Sequence, residues 1–279
     1  MKMKQERMDS ASCVWGRFWE VFCMRYTVLY FSPTGGVKRC VQLLMQGLSE
    51  DFEQVDLSLT LNGQKKAQFS EADVCVIAVP SYGGRVPEVA VERIKQTQGG
   101  GAKTVLVSVY GNRADEDTLY ELRNAAVEAG YFPVAAVRAI AEHSIARKIA
   151  AGRPDAEDAG KLRAFGGDLK RLLAGSRLPP VDLAPKTEFK HFGGVPFHPK
   201  ANSDCVGCGK CAAVCPVGAI PRDDPRLTDN AVCITCMRCV AVCPEHARTV
   251  NPLMLMATEQ KLKKSAGDYK RPELILGKK

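Results

Sequence analysis

Eight of the twelve cysteines lie between residues 205 and 243, in two copies of one pattern. The first copy, CVGCGKCAAVCP at 205–216, and the second, CITCMRCVAVCP at 233–244, both follow C-x2-C-x2-C-x3-C-P; we call them the first and second cysteine ladders. Three such thiolates can ligate one cubane iron–sulfur cluster from a tight turn. The proline then directs the chain away, so the fourth thiolate comes from elsewhere. A zinc ribbon needs only two CxxC pairs, so the pattern favours [4Fe-4S] clusters over a structural zinc module.

Every position of the two ladders matches the bacterial-type [4Fe-4S] ferredoxins, which this region resembles. In two-cluster ferredoxins the fourth cysteine of each ladder ligates the other cluster. The resemblance implies a module at about 201–251, which buries little apolar surface and depends on its clusters for stability. It implies two ligand sets: Cys205, Cys208, Cys211 and Cys243 for one cluster, and Cys233, Cys236, Cys239 and Cys215 for the other.

A second candidate site is the loop FSPTGG at 31–36, between the apolar run YTVLYF and the amphipathic segment VKRCVQLLMQGL. The loop lacks both the Gly-Lys-Ser/Thr of a Walker A loop and the dinucleotide pattern G-x-G-x-x-G. Ser32, Thr34, Gly35 and Gly36 would instead bind one terminal phosphate through hydroxyl groups, backbone N–H groups and a helix N-terminus, as suits a mononucleotide. The alternative is a plain helix N-cap at Thr34.

The elements that must position this loop form a repeating strand–helix pattern. Buried strands are predicted at 27–31, 74–79, 104–109 and 132–137, where nearly every residue is apolar, and a strand nearer the edge at 52–59. Helices are predicted within 36–48, 87–97, 114–129 and 156–174. This alternation predicts an α/β fold with a doubly wound parallel sheet. The ferredoxin resemblance implies a small α+β module after it.

Two further loops follow the neighbouring buried strands. They read PSYGGRVP at 80–87 and YGNRAD at 110–115. Open α/β sheets bind their ligands at the carboxyl ends of adjacent strands, so all three loops are expected to surround one ligand.

With these three loops, residues 26 to about 175 resemble a flavodoxin, whose corresponding loops bind FMN. The resemblance assigns the phosphate to the loop at 31–36. It assigns the isoalloxazine ring to Tyr82, Gly83 and Gly84 in the second loop and to Tyr110, Gly111 and Asn112 in the third. One departure is Val37, where flavodoxins commonly have a second threonine. Loss of that hydroxyl is expected to weaken phosphate binding by roughly 1 kcal/mol.

Composition limits the classes of partner and compartment. The formal net charge of +8 favours encounter with acidic proteins, but the basic residues are dispersed and no nucleic-acid-binding motif accompanies them. The sequence contains no run of 18 apolar residues, so no transmembrane helix is predicted. Crowded CxxC spacing indicates metal ligation in a reducing compartment, so we predict a cytoplasmic protein.

The predicted organisation has five parts: an extension at 1–25, a flavodoxin-like domain at 26–175, a proline-rich surface linker at 176–200, the ferredoxin module at 201–251 and a basic tail at 252–279. The extension has three interpretations: a docking helix, an interfacial membrane helix, or upstream sequence before a true start at Met24. The tail is expected to be a short helix followed by a loose segment.

Several single residues have both a functional and an ordinary interpretation. Arg85 and Arg113 lie beside the expected flavin loops, where each is either a cation near the ring or the partner of Glu88 or Asp115. His143 follows the last strand and is either a proton donor to flavin or a satisfied loop residue. Cys40 and Cys75 are expected to fill the core, and His198 and His246 are not expected to ligate metal, because no ladder cysteine is missing.

Together the two halves resemble the flavodoxin–ferredoxin fusion proteins of anaerobic bacteria. The resemblance implies an electron carrier that exchanges electrons between FMN, two [4Fe-4S] clusters and low-potential partners such as acidic ferredoxins or oxidoreductases. One alternative is an enzyme, a ferredoxin-linked oxidoreductase that reduces a small organic substrate at FMN. Another is a redox sensor whose flavodoxin fold binds no flavin.

Overall fold

The computed structural model describes residues 13–14, 22–59, 67–175, 178–185, 194–195 and 197–278. At the amino-terminal end, β1 (Cys13–Val14) and β2 (Phe22–Cys23) pair antiparallel. The remainder of the predicted extension lies outside the described residues, so its three interpretations stay predictions. None of the helices within the described ranges is long and apolar enough to cross a lipid bilayer.

A six-stranded sheet forms the centre of the molecule. Its parallel strands are β3 (Tyr26–Tyr30), β4 (Glu53–Asp56), β5 (Val74–Pro80), β6 (Lys103–Tyr110) and β7 (Phe132–Ile140). They are ordered β7-β6-β5-β3-β4, which is the 2-1-3-4-5 order of flavodoxin-like doubly wound folds. β5 is buried along its whole length and β4 is partly exposed at the edge, as their apolar and alternating sequences predict. The predicted α/β class is confirmed.

Four helices cover the two faces of the sheet: α1 (Gly36–Leu48), α2 (Glu88–Lys95), α3 (Thr118–Glu128) and α4 (Ala156–Leu173). α1 and α4 pack on one face and α2 and α3 on the other. α4 begins with a capping box in which the Asp155 carboxylate accepts a hydrogen bond from the Asp158 N–H group and the Asp158 carboxylate accepts one from the Asp155 N–H group. Cys40 and Cys75 are fully buried core residues, as expected.

The cysteine-rich module has short elements. It contains β8 (Lys200–Ala201), α5 (Lys210–Ala213), α6 (Arg238–Val242) and β9 (Arg248–Thr249), with β8 antiparallel to β9. Its own buried apolar cluster around Cys211, Ala212 and Ile220 is small. Such a module depends on ligation as well as on apolar burial for its stability.

The end of the chain differs from the prediction. The expected loose tail is wrong: after α7 (Pro252–Ala266) the chain forms β10 (Glu273–Leu276), which pairs antiparallel with β7 and completes the sheet. An ion pair between Arg138 and the Glu273 carboxylate, 2.9 Å apart, reinforces this pairing. The run ELIL was too short, among polar neighbours, to predict a strand; the open edge of β7 supplies its partner.

The predicted linker also contributes to the core where it is described. Val181 and Leu183 are buried against the α2–α3 face of the sheet, and the Val181 N–H group donates to the Pro133 carbonyl oxygen at 2.9 Å. This part of the linker is therefore packed onto the sheet domain.

Close packing of α1 against α4 generates the first prediction. A Cβ atom on Gly166 would lie 2.2 Å from the Leu44 carbonyl oxygen, so Gly166→Ala must separate the helices and should lower the free energy of unfolding by about 2 kcal/mol. At the adjacent Gly167 the nearest such atom, on Arg171, is 3.8 Å away, so Gly167→Ala should stabilise the helix by up to about 1 kcal/mol. The urea midpoints of the helical circular dichroism signal compare the two variants. Equal midpoints would contradict the close approach.

Candidate functional site

The three predicted loops surround a single cavity, called here the loop cavity. It lies at the carboxyl edge of β3, β5 and β6 and encloses about 1130 Å³ between protein atoms, part of it open to solvent. Eight of the ten residues predicted to bind the cofactor line it: Ser32, Thr34, Gly36, Tyr82, Gly83, Gly84, Tyr110 and Gly111. Gly35 lines a neighbouring cleft, and Asn112 lines neither.

The first loop places a glycine, which has no side chain to act as a cap, at the N-cap of α1. This residue is Gly35, whose φ of 88° suits glycine. The alternative of a Thr34 cap is therefore wrong. Ser32 Oγ accepts a hydrogen bond from the Lys38 N–H group at 2.9 Å, which holds the loop against α1. The first-turn N–H groups that Ser32 does not satisfy are suited to bind an anion.

The second loop presents Tyr82 to the cavity from a tight turn. Tyr82 and Arg85 exchange two backbone hydrogen bonds, and the turn between them has φ of 60° at Gly83 and 85° at Gly84. Burial raises the pKa of Tyr82 well above its usual value, and the nearby Cys236 adds to this effect. Tyr82 thus stays a neutral phenol and lies close to a cysteine of the second ladder.

The third loop contributes Tyr110 and Gly111 but directs Asn112 elsewhere. Burial, with the charge of Asp115, raises the pKa of Tyr110 to about 12. The Asn112 side chain is buried and donates to the carbonyl oxygens of Ala266 at 2.7 Å and Asp268 at 2.8 Å. Asn112 therefore joins the third loop to the end of α7.

The two arginines beside these loops each have a carboxylate partner. Arg85 donates two hydrogen bonds to Glu121, at 3.0 and 2.8 Å. Arg113 lines the loop cavity and pairs with Glu116 at 2.6 Å. Of these two arginines, Arg113 is therefore the one that lies at the loop cavity.

His143 lines the same cavity and packs against the third loop. A Cβ atom on Gly111 would lie 2.5 Å from His143 Cδ2, so this close approach requires glycine. His143 Nδ1 accepts hydrogen bonds from the N–H groups of Ile145 at 3.2 Å and Ala146 at 3.0 Å. The neutral ring therefore carries its proton on Nε2. Burial and the Arg113 charge lower the pKa of His143 to about 4.

One wall of the loop cavity comes from residues after position 190, which sequence reasoning did not predict. This wall consists of Val195, Ile234, Thr235, Thr258 and Leu262. Ile234 and Thr235 belong to the second ladder, and Ile234 also packs against the core of the sheet domain. The apolar side chain of Ile234, between two ladder cysteines, was the only sequence signal for this wall. The sequence did not show that Ile234 packs against the sheet domain.

The ladder cysteines line two further cavities, and each cavity combines both ladders. The inner cysteine cavity is lined by Cys215, Cys233, Cys236 and Cys239, together with Ile234 and Thr235. The outer cysteine cavity is lined by Cys205, Cys208, Cys211 and Cys243. In each, three cysteines come from one ladder and the fourth from the other. These are the two sets that the ferredoxin resemblance implies.

The buried inner cysteines need a bound cation in order to ionise to thiolates. Burial raises the pKa of Cys236 and of Cys239 to about 12, and the Arg248 charge acts in the opposite direction on Cys239. Thiols of this kind become thiolates when iron binds and displaces the proton. The donor chemistry therefore fits a cluster with several cationic iron centres.

The two ladders share one backbone conformation but differ in side chains. Positive φ occurs at Gly207 and Gly209 in the first ladder, and at the corresponding Thr235 and Met237 in the second. Non-glycine residues are rare in this conformation and cost about 1 kcal/mol or more each. Thr235 is buried and hydrogen-bonds to the Phe197 carbonyl oxygen and to His198 Nδ1, which compensates part of this cost.

Two arginines attach the module to the sheet domain. Arg93, on α2, is buried and donates to the carbonyl oxygens of Leu57 and Pro216, both at 2.5 Å. Pro216 directly follows the ladder residue Cys215. Arg238, on α6, pairs with Asp56 at 3.7 Å. The inner cysteine cavity is therefore held beside the loop cavity by contacts from both domains.

Comparison with known proteins defines the module. Residues 204–248 match the family model described as a 4Fe-4S dicluster domain. The carboxyl-terminal module is a 4Fe-4S dicluster domain. It binds two [4Fe-4S] clusters, and the zinc alternative is wrong. The chain thus joins a flavodoxin-like fold, shown by its strand order, to a dicluster domain.

Similar solved structures match about half of the chain. A Streptococcus pneumoniae flavodoxin is 17% identical and covers 52% of this chain and 97% of its own, with a TM-score of 0.37. An NADH:FMN oxidoreductase in its apo form is 15% identical, with 55% and 91% covered and a TM-score of 0.40. An NAD(P)H:quinone oxidoreductase from Methanothermobacter marburgensis is 12% identical, with 55% and 98% covered and a TM-score of 0.35. No curated protein matches the sequence.

The environment of His143 gives a prediction for its titration. Because burial and Arg113 disfavour the imidazolium, His143 in the folded protein should titrate near pH 4, not near 6.5. The unfolded chain binds this proton at higher pH, so this group lowers stability as pH falls from about 6.5 towards 4. Nitrogen-15 NMR of labelled histidine measures the pKa, with His143→Asn to assign the signal. A pKa above 6 would show that the ring is not buried as described.

Proposed function

We propose that the protein is an electron carrier that relays electrons between FMN in the loop cavity, the two clusters of the dicluster domain and external low-potential redox proteins. The observation that carries this proposal is the composition of the loop cavity. Flavodoxin-like loop residues and two residues of the second ladder, Ile234 and Thr235, line the same space. A flavin bound there would be next to the ligand loop of a cluster.

The loop cavity offers donors that suit FMN. The N-terminus of α1, with its glycine N-cap and with Ser32 and Thr34 beside it, would bind the terminal phosphate. Tyr82 and Tyr110 would flank the ring, and His143 Nε2–H is available as a hydrogen-bond donor. FMN would supply chemistry in which two electrons enter together and leave singly.

The crossed cysteine sets are proposed as the cluster ligands. Cys215, Cys233, Cys236 and Cys239 would ligate the inner cluster, and Cys205, Cys208, Cys211 and Cys243 the outer cluster. Their positions around two separate cavities support this assignment.

Exposure of the two ladders supports an order for the relay. Val206 and Ile234 occupy equivalent positions, after the first cysteine of each ladder. Val206 is 66% exposed, whereas Ile234 packs against the sheet domain. The inner cluster would therefore exchange electrons with FMN, and the outer cluster with a partner at the surface near Val206 and Cys208. The net charge of +8 would favour an acidic redox partner in a reducing compartment such as the cytoplasm.

The electrostatics favour a carrier over an enzyme that reduces an organic substrate at FMN. Such an enzyme needs access to the ring and a proton donor. The dicluster domain and α7 cover one wall of the cavity through Ile234, Thr235 and Leu262. His143 is neutral at pH 7, and burial raises the pKa of Tyr110 to about 12, so both groups are weak acids.

Cofactor content is the first test. Anaerobically purified protein should contain about eight irons and one FMN per chain, counted by iron, sulfide and released-flavin assays. Eight irons without FMN would support the flavin-free sensor, and substrate-dependent turnover would support the enzyme.

Gly111→Ala tests whether FMN occupies the loop cavity. The new Cβ atom would lie 2.5 Å from His143 Cδ2 and displace its ring, so FMN should bind at least about tenfold more weakly. FMN fluorescence on dilution of the purified protein measures the dissociation constant. Gly160→Ala is the matched control, because no atom lies within 4 Å of its added Cβ. Equal affinity of both variants would place FMN elsewhere.

Cysteine variants test the relay order. After laser-flash reduction of FMN, wild-type protein should show electron transfer to a cluster at a rate independent of protein concentration. Cys236→Ala should slow this step at least about tenfold by removing the inner cluster, whereas Cys208→Ala should retain it. Iron counts near four per chain check that each variant keeps its other cluster. Wild-type rates in Cys236→Ala, or rates proportional to protein concentration, would contradict the order.

A further inference from the structure

Each cysteine cavity is lined by an arginine that has one buried nitrogen without a hydrogen-bond partner among the described residues. Within the described ranges, four buried side-chain nitrogen or oxygen atoms lack a partner: Thr27 Oγ1, Ser108 Oγ, Arg238 Nε and Arg248 Nε. Arg238 lines the inner cysteine cavity, and Arg248 lines the outer one. Buried N–H groups without partners are uncommon and costly, so an acceptor in each cavity is expected.

Arg248 is also a buried charge without a carboxylate. It is 1% exposed, and its other nitrogens donate only to uncharged oxygens, those of Pro199, Pro225, Leu227 and Thr228. In the part of the chain that the structure describes, no Asp or Glu pairs with it. A buried cation of this kind requires a compensating negative charge.

The position of Arg248 places that charge beside the outer cysteine set, whose cavity it lines, and within electrostatic reach of Cys233 and Cys239 in the inner set. The Pro225 carbonyl oxygen accepts a hydrogen bond from Arg248 and lies 3.8 Å from Cys211 Sγ. The other ladder offers an internal comparison. Five residues after its fourth cysteine, the first ladder has the buried apolar Ile220, whereas the second has Arg248. The repeated fold therefore accepts an apolar residue at this position, so the fold alone does not require arginine.

We propose that Arg238 and Arg248 each donate their Nε–H group to a sulfur atom of the cluster in their cavity, and that the unpaired charge of Arg248 raises the reduction potential of the outer cluster. Reduction adds one negative charge to a cluster, which a buried cation stabilises. Arg238 has a smaller effect on the inner cluster, because Asp56 lies 3.7 Å from it and offsets its charge. The inference rests on the ligand sets proposed above.

Potentiometric EPR titration of the full chain tests whether the Arg248 charge raises the reduction potential of the outer cluster. Arg248→Gln, which keeps hydrogen-bonding groups but not the charge, should make reduction of the outer cluster at least tenfold less favourable, a shift of 59 mV for one electron. Arg248→Lys should shift it less. The matched control is Arg226→Gln: Arg226 is exposed and donates to the Cys205 carbonyl oxygen at 3.1 Å, so solvent screens its charge and the shift should be smaller. An unchanged potential in Arg248→Gln with eight irons bound would overturn the proposal.

The Nε–H contacts are tested in the native sequence, where folding of a variant is not at issue. Pulsed EPR of the reduced protein labelled with nitrogen-15 arginine should detect arginine nitrogen coupled to the cluster spins, and Arg238→Lys should remove the part that belongs to the inner cluster. Absence of coupling in native protein would overturn these contacts. Failure of the ligand sets is distinguished by iron counts in the cysteine variants, which do not depend on either arginine.

Discussion

The pairing of β10 with β7 attaches both ends of the dicluster domain to one sheet. The chain leaves the sheet domain after α4 and returns to it through α7 and β10. A domain joined by a single linker samples many orientations, whereas one attached at both ends loses most of that freedom. The position of the inner cysteine cavity relative to the loop cavity therefore depends on four residue pairs of backbone pairing at the sheet edge.

Polar contacts then select one docked arrangement. Arg93 joins the end of β4 to the residue after Cys215, and Asn112 joins the third loop to the end of α7. Arg153 adds hydrogen bonds to Asp158 and to the Lys270 carbonyl oxygen near β10. These side chains are buried and bond to backbone oxygens that are distant in sequence, so removing one leaves several polar groups unpaired.

Docking also determines what kind of chemistry the loop cavity can support. One wall of this cavity is formed by Ile234, Thr235 and Leu262, which lie outside the flavodoxin-like sheet domain. A bound flavin would thus be adjacent to a cluster ligand loop, and access for an organic substrate would be reduced. Electron transfer tolerates such coverage, because it requires proximity and not contact between reacting atoms.

The predictable parts of the fold are those where local pattern and tertiary role agree. β5 and β6 are uniformly apolar and are buried on both faces, and α1 has its buried residues at helical spacing. β10 was missed because ELIL becomes a strand only against the unpaired edge of β7. The contacts of the Asn112 side chain could not be predicted for a similar reason. It lies in a flavodoxin-like loop, but its amide nitrogen donates to carbonyl groups more than 150 residues away in the sequence.

The sequence by itself determined the cofactor chemistry of the carboxyl-terminal module and the strand order class of the amino-terminal one, because thiolate spacing and apolar periodicity are local properties. Only the tertiary structure decided which ladder faces the sheet domain. The two ladders have the same spacing, and their difference lies in single side chains: Ile234 for Val206, and Arg248 for Ile220. Such residues acquire their roles from neighbours brought together by docking, and long-range packing of that kind leaves no period in the sequence.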